Sequence, residues 1–238
     1  MTKPDLHQLN EKALLLEWPE DCSRSLLSQI KALETRLVKN IAGIRETQVV
    51  YKSLCIHWDK PLEEDKIQAV RSSLAEPAKS IGEVARLWKI PVCYGGDFGP
   101  DLESCATSLG LTPEKLIEKH TSFIYPVYGI GFLPGFLYLG DVPHEIQVAR
   151  RSEPRLQVSQ GSVGLAGQQT GIYPQQSPGG WQLLGRTPVK LFEVQQSPPC
   201  KIQVGDGVQF YAIDSPTYSL MQIQIEEEIY SLESEEWQ

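Results

Sequence analysis

Cysteine is sparse in this chain, and its placement argues against cross-links. Five cysteines, at 22, 55, 93, 105 and 200, are scattered over 238 residues. An odd number cannot close a disulfide framework, and no CxxC pair supports a thiol redox site or a zinc knuckle. Long apolar runs are missing as well. No stretch reaches the roughly 18 apolar residues a membrane span needs, and the opening Met-Thr-Lys-Pro-Asp-Leu-His lacks the apolar core of a signal peptide. The expected compartment is a reducing cytoplasm. Positive charge is in deficit: 22 Lys and Arg stand against 30 Asp and Glu, a formal charge of −8. Such a chain repels phosphate backbones and anionic lipid, which sets nucleic acid and membrane surfaces aside as partners but leaves room for a local anion site. The common signatures of chemistry are absent too. There is no Walker A sequence, no GxGxxG after a strand, no GxSxG elbow, no HExxH and no close His/Cys cluster, so no metal is expected. The histidines His7, His57, His120 and His144 lie far apart.

What the chain does have is glycine in one place. Glycine recurs at 161, 164, 167, 171, 179, 180 and 185, interleaved with Gln168, Gln169, Thr170, Tyr173, Trp181, Arg186 and Thr187. Glycine lets backbone amides approach a bound group closely. The expectation is irregular backbone wrapped around a ligand; the plainer alternative is a set of turns between short strands.

The length, with 41% hydrophobic residues, allows one large domain or two modest ones. Ala13 to Trp18 reads as a first strand, ended by Pro19. Ser25 to Lys39 carries Leu26, Leu27, Ile30, Leu33 and Leu37 at helical spacing, with Ser23 or Ser25 as cap and Gly43 as stop. Thr47 to Trp58 fits two strands turning near Lys52-Ser53, and Asp65 to Leu74, extending toward Lys79, reads as a helix. The order predicts a small α+β sandwich over residues 1–90. A strand over Trp88 to Tyr94 breaks at Gly95-Gly96. A short helix follows over Asp101 to Leu109, then one begun by Thr112-Pro113-Glu114 and ending near His120, then a β stretch over Ser122 to Phe132. Beyond that, short apolar runs (Leu156 to Val158, Trp181 to Leu184, Val189 to Val194, Val208 to Ile213) separated by Pro/Gly clusters predict a β-barrel or sandwich within 91–238. Gly205-Asp-Gly207 reads as a hairpin turn, and the acidic tail from Ile225 as a solvated helix.

Four segments resemble one family. Val92-Cys-Tyr-Gly-Gly-Asp-Phe-Gly-Pro-Asp-Leu102 is similar to its CYGGEFGPDL motif, and Gly131-Phe-Leu-Pro-Gly-Phe-Leu-Tyr-Leu139 to its GFxPGFxYL motif. Arg150 to Arg155 resembles PRRxxPR, and Gly161 to Thr187 resembles GSVxIAGxQTGIYPxxSPGGWxxIGRT almost residue for residue. The family is KipI/PxpB, also called allophanate hydrolase subunit 1, and the similarity runs along essentially the whole chain. Asn10-Glu11, Leu137, Ala149 and Ser159 depart from the usual pattern without touching a polar group of chemical interest.

The resemblance implies an α+β class, with an amino-terminal α+β sandwich followed by a cyclophilin-like β-barrel. It also implies a subunit of an ATP-dependent 5-oxoprolinase that works with a KipA/PxpC-type subunit and a LamB/YcsF-type (PxpA) subunit, ATP being a co-substrate shared with the partner. Within it, His120 is the candidate for proton transfer, since histidine titrates near neutral pH. Arg186, with Arg150, Arg151 or Arg155 as further candidates, is expected to clamp a carboxylate or phosphate. Backbone amides between Gly161 and Gly171 are expected to form an anion nest. Gln168, Gln169 and Thr170 are expected to read the lactam amide, with Phe132, Phe136, Tyr173 and Trp181 as walls and Gly135, Gly167, Gly180 and Thr187 completing the substrate site. Two other readings stay open: an inhibitor gripping a sensor histidine kinase, and half of a urea carboxylase-type carboxyltransferase.

Overall fold

The computed structural model describes residues 2–75 and 84–237. Backbone contacts divide the chain into two units, Met1–Glu83 and Val84–Gln238. In the first, strands β1 (Asp5–Asn10) and β2 (Ala13–Glu17) form a hairpin, followed by helix α1 (Arg24–Asn40), strands β3 (Ile44–Val50) and β4 (Ser53–Trp58), and helix α2 (Glu64–Ala75). The strands lie in the order β1-β2-β4-β3, all antiparallel. Ser23 caps α1, its hydroxyl accepting from Leu26 N. Leu26, Leu27, Ile30, Leu33 and Leu37 form the buried stripe of α1, and Leu54, Ile56 and Trp58 the buried alternate positions of β4. Strand β1 goes beyond the reading of the sequence. Its residues are nearly all exposed, so hydrophobic alternation gave no signal; main-chain pairing to β2 defines it. The extension of α2 to Lys79 lies outside the described residues.

The second unit begins with β5 (Ala85–Tyr94), α3 (Leu102–Ser108) and α4 (Pro113–Ser122), the last capped by Thr112, which accepts from Lys115 N. Then come β6 (Ile124–Ile130), β7 (Leu137–Leu139), β8 (Arg155–Val158), β9 (Ser162–Ala166), β10 (Gln169–Ile172), β11 (Ser177–Gly179), β12 (Gln182–Arg186), β13 (Gly207–Ile213), α5 (Ser215–Glu226) and β14 (Ser234–Trp237). The sequence of neighbours β6-β13-β5-β12-β9-β10-β7 closes through β7 back onto β6, a barrel of seven strands. Only the β5/β13 pair of that ring is parallel. Strands β8 and β11 form a separate ribbon.

Inside the barrel lie Ile90, Val92, Tyr125, Val127, Leu137, Leu139, Val163, Leu165, Ile172, Leu184, Val208 and Phe210, with Leu116 of α4 packed among them. Each such side chain stabilises the fold by about 1.5–3 kcal/mol on burial, and this common core holds the loops at the barrel's ends.

Three local expectations are corrected. Val189 to Val194 is not a strand: Val189 and Leu191 reach the core from irregular backbone. Gly205-Asp-Gly207 is not a hairpin turn, because no strand precedes it. Instead buried Asp206 ties this segment to β5, accepting from Trp88 Nε1 at 2.8 Å, Arg86 N at 3.0 Å and Gln203 N at 2.9 Å. The acidic tail is not a solvated helix, since Ser234–Trp237 adds antiparallel to β5, where backbone pairing outweighs its charge.

Candidate functional site

The glycine-rich segment is built of regular strands. Residues 162–186 contain β9, β10, β11 and β12, and their glycines make room for rings. A Cβ at Gly179 would stand 2.3 Å from the Tyr173 hydroxyl, and one at Gly171 2.8 Å from Trp181. Phe136, Tyr173 and Trp181 are each at most 5% exposed and pack with Val158, Ala166 and Leu183. Phe136 meets Tyr173 edge-on at 5.2 Å and Trp181 at 5.4 Å. The expected irregular wrapping is therefore corrected: glycine lines the strand face because large aromatics cover it. The expected nest of free amides is corrected too. Gly161 N donates to Tyr173 O, Ser162 N to Ser159 O and Gly167 N to Val148 O, and β9 and β10 pair with each other.

His120 sits elsewhere, in the barrel core, with no exposed surface. Its Nδ1 lies 2.7 Å from the Tyr94 hydroxyl and its Nε2 3.0 Å from Thr170 Oγ1, with Phe210 stacked on the ring at 4.8 Å. Burial lowers its pKa from 6.5 to about 3, because desolvation penalises the imidazolium. The reason for expecting proton transfer there, titration near neutrality, does not hold in this setting. Thr170 is likewise committed, donating to Gly164 O at 3.0 Å, so its hydroxyl is not available to read a lactam.

The remaining expected residues lie in separate places. Gly167 and Gln168 form the β9–β10 turn, Gln168 exposed and Gln169 half-buried. Gly135 lies against Phe192, and Gly180 O accepts from Arg151 N. Phe132 projects outward, 65% exposed. Arg151 and Arg155 are not open anion clamps. Both bond Oδ1 of buried Asp101, at 3.3 and 2.7 Å, while Asp101 Oδ2 accepts from Leu183 N at 2.7 Å. Sequence reasoning passed over Asp101, although a carboxylate in the motif beside an arginine-rich motif was the available signal. Arg150 stays exposed.

Arg186 and Thr187 do come together with a residue not singled out from sequence, Ser162. Arg186 of β12 is the direct cross-strand neighbour of Ser162 of β9. Opposite positions of an antiparallel pair share a face. The Arg186 guanidinium lies over Phe98 at 5.8 Å and donates through Nη2 to Asp97 O at 3.3 Å. Its charge is felt by the Tyr218 phenol, which burial otherwise pushes up. Thr187 closes the corner: its N–H donates to Gly161 O, and its Oγ1 accepts from Val189 N. Two buried polar atoms here have no partner, Arg186 Nε and Ser162 Oγ. Buried donors are normally satisfied, and an anionic or carbonyl oxygen has the chemistry to accept from both groups.

The profile of the carboxyltransferase domain, subdomain C and D, matches residues 4–202. A Haemophilus influenzae protein named as a 5-oxoprolinase subunit is 51% identical over 207 residues, covering 85% of this chain and 94% of that protein. A Bacillus subtilis protein of the same name is 37% identical over 227 residues, covering 90% of this chain and 94% of its own length. In fold alone, the chain is similar to Kluyveromyces lactis urea carboxylase, with a TM-score of 0.77 and 18% identity over 98% of this chain and 24% of that one.

Proposed function

The chain belongs to the carboxyltransferase domain, subdomain C and D, family, and on that premise we propose that it is the PxpB-type subunit of a 5-oxoprolinase. The observation that carries this is identity of 51% and 37% along nearly the full length of two proteins named as subunits of that enzyme. We further propose that it acts with a KipA/PxpC-type and a LamB/YcsF-type subunit, and that ATP is consumed in the assembly.

The chemistry calls for such coupling. A lactam carbonyl is a poor electrophile. Transfer of a phosphoryl group to its oxygen turns that oxygen into a leaving group. Water then adds to the carbon and the C–N bond breaks as the nitrogen takes a proton, giving an acyl phosphate of glutamate, which a second water hydrolyses to glutamate and phosphate. This chain has neither a Walker A nor a GxGxxG phosphate loop, so its own contribution is argued from what it presents. Arg186 and Ser162, cross-strand neighbours with unpartnered buried donors, suit a carboxylate or phosphoryl oxygen, for which guanidinium gives a permanently charged donor. Asp97 O and Phe98 hold the guanidinium in place.

The test is reconstitution with purified KipA/PxpC-type and LamB/YcsF-type subunits, following glutamate release and ATP hydrolysis. Hydrolysis should depend on 5-oxoproline and should cease when this chain is left out. An assembly whose ATP hydrolysis ignores 5-oxoproline, or proceeds equally without this chain, overturns the reading.

A further inference from the structure

We propose that Tyr218 of α5 is a substrate-binding residue that donates its phenolic hydrogen to the carboxylate of 5-oxoproline, beside Arg186 and Ser162. The inference rests on the functional reading above. The residues concerned form one row on the barrel. Arg186 of β12 stands between Ser162 of β9 and Cys93 of β5, each its direct cross-strand partner, and directly opposite residues share a face of the sheet. Val92 and Val163, next along their strands, point into the core, so the row lies on the barrel's outer face. Helix α5 reaches this row. Tyr218 packs on Phe98 at 4.7 Å, the same ring over which the Arg186 guanidinium lies at 5.8 Å. Arg186 and Cys93 both act electrostatically on the Tyr218 phenol, which sets its hydroxyl end toward the row.

The row is short of partners. Ser162 Oγ and Arg186 Nε are buried without one, and among the described residues no hydrogen bond engages Tyr218 Oη. Tyr218 is nevertheless 6% exposed and Ser162 1%, and groups so placed are normally satisfied. Burial pushes the Tyr218 phenol above its ordinary value of 10, so it keeps its hydrogen at neutral pH and is a donor. Three donors thus converge with no acceptor supplied by the chain. Access is not a barrier, because α5 buries only Tyr218 and Met221 among its 12 residues. A helix held by two side chains shifts at low cost.

Charge selects the occupant. Arg186 brings one positive charge, while Ser162 and Tyr218 are neutral donors. A further charge acting on the row is negative: Asp214, which caps α5 by accepting from Thr217 N at 2.9 Å, pushes up the Cys93 thiol. A phosphoryl group, with close to two negative charges, would meet one guanidinium and an opposing carboxylate. A lactam carbonyl carries no charge to offset the guanidinium and has a single oxygen for three donors. A carboxylate matches on both counts, with one charge and two oxygens that accept about four hydrogen bonds. In 5-oxoproline that group is the only charged one.

The experiment sets Tyr218→Phe, Arg186→Ala and the double variant against the wild type in the assembly reconstituted with the KipA/PxpC-type and LamB/YcsF-type subunits. It reads kcat and the KM values for 5-oxoproline and ATP, with the thermal midpoint of each chain alone. Tyr218→Phe should raise KM for 5-oxoproline by about 10-fold or more, the loss of one hydrogen bond to a charged group. KM for ATP should stay level, and most of kcat should survive at saturation. The midpoint should stay level or rise, since the deleted hydroxyl has no partner in the chain. The double variant should lose less in kcat/KM than the product of the two single losses, because both groups hold one carboxylate. An unchanged KM for 5-oxoproline overturns the proposal, as do losses that simply multiply. A raised KM for ATP in its place also overturns it, by assigning the site to a phosphoryl group, and a lowered midpoint does so by making the hydroxyl structural. A wild-type assembly whose ATP hydrolysis ignores 5-oxoproline overturns the functional reading and the proposal together. That outcome is distinct from a 5-oxoproline-dependent assembly indifferent to Tyr218.

Discussion

Tyr94 donates its phenolic hydrogen to Nδ1 of His120 across 2.7 Å. The direction follows from the far side of the ring. Thr170 Oγ1 gives its hydrogen to Gly164 O, so toward His120 it can only accept, and Nε2 must carry the proton. Nδ1 is left as an acceptor, and Tyr94 is its donor. The chain Tyr94 to His120 to Thr170 to Gly164 thus runs in one sense with every hydrogen assigned by the network, and it is complete only while His120 is neutral.

That neutrality sets a pH dependence. The folded pKa of His120, about 3, lies below its ordinary value of 6.5. Between those pH values the unfolded chain holds a proton that the folded chain refuses, so stability rises with pH through this window. The contribution is fully present above about pH 6.5 and is lost as pH falls toward 3, at a limiting slope of about 1.4 kcal/mol per pH unit. Urea unfolding of the wild type and His120→Leu from pH 4 to 7.5 measures it. The variant should be less stable at neutral pH by about 1–3 kcal/mol, with the Tyr94 hydroxyl deprived of its acceptor at Nδ1, and its curve should be flatter in acid. Parallel curves would remove His120 as the source.

How much of this was legible beforehand depends on the range of the interactions involved. Local signals succeeded: the Ser23 and Thr112 caps, the buried stripe of α1 and the turn between β3 and β4 are all written within a few residues. The setting of His120 was not, because its partners Tyr94 and Thr170 stand 26 and 50 residues away and meet it only when the barrel closes. The glycine run was legible as a unit but its purpose was inverted: close approach of glycine to a ligand and to a neighbour's aromatic ring look identical in one dimension. The arginine cluster failed similarly, since Asp101, which engages Arg151 and Arg155, lies 50 and 54 residues earlier. Ser162 could be noticed only once β9 and β12 were seen side by side.

Arg186 should matter to activity more than to folding. It is half-exposed, its ring contact with Phe98 is a single one, and its Nη2 bond to Asp97 O is long at 3.3 Å. Arg186→Ala is expected to lower kcat/KM for 5-oxoproline in the reconstituted assembly by about 10- to 100-fold, the equivalent of a lost charge-assisted hydrogen bond. Arg186→Lys should recover little, because lysine has no Nε–H in that position. Ser162→Ala should cost a smaller factor, of about 10-fold or less. Activity close to wild type in Arg186→Ala would show that the unpartnered donors serve no ligand.

Asp101 is expected to be a stability residue. It is 4% exposed and accepts from two guanidinium groups and one backbone amide. Asp101→Ala strands a half-buried arginine pair and the Leu183 N–H together, for which a loss of about 3–5 kcal/mol is typical. Arg151→Ala should cost only about 0.5–1 kcal/mol, since Arg155 keeps the shorter contact with the carboxylate. Denaturant unfolding of both variants gives the comparison, and similar losses in the two would mean that the ion pairs do not share Asp101 as the geometry indicates.

Gly179 and Gly167 separate two reasons for glycine in one segment. At Gly179 the obstacle is space: an added Cβ would lie 2.3 Å from Tyr173 Oη and 2.7 Å from its Cζ. The ring cannot swing away, because Phe136 meets it edge-on at 5.2 Å and Trp181 at 6.5 Å. Gly179→Ala should therefore destabilise by about 1–3 kcal/mol, the cost of overpacking. Tyr173→Phe in the same chain should return part of it by deleting the nearest atom, a non-additive pair as expected for residues in contact. At Gly167 nothing stands within 4 Å of the added Cβ, but φ is +60°. Here the penalty is conformational, about 1–2 kcal/mol for alanine. It should largely vanish in Gly167→Asn, since asparagine tolerates that backbone region, whereas Gly179→Asn should be no better than Gly179→Ala. Thermal unfolding of the variants distinguishes the two causes: if asparagine rescues both sites or neither, the assignment of space to one glycine and backbone conformation to the other is wrong.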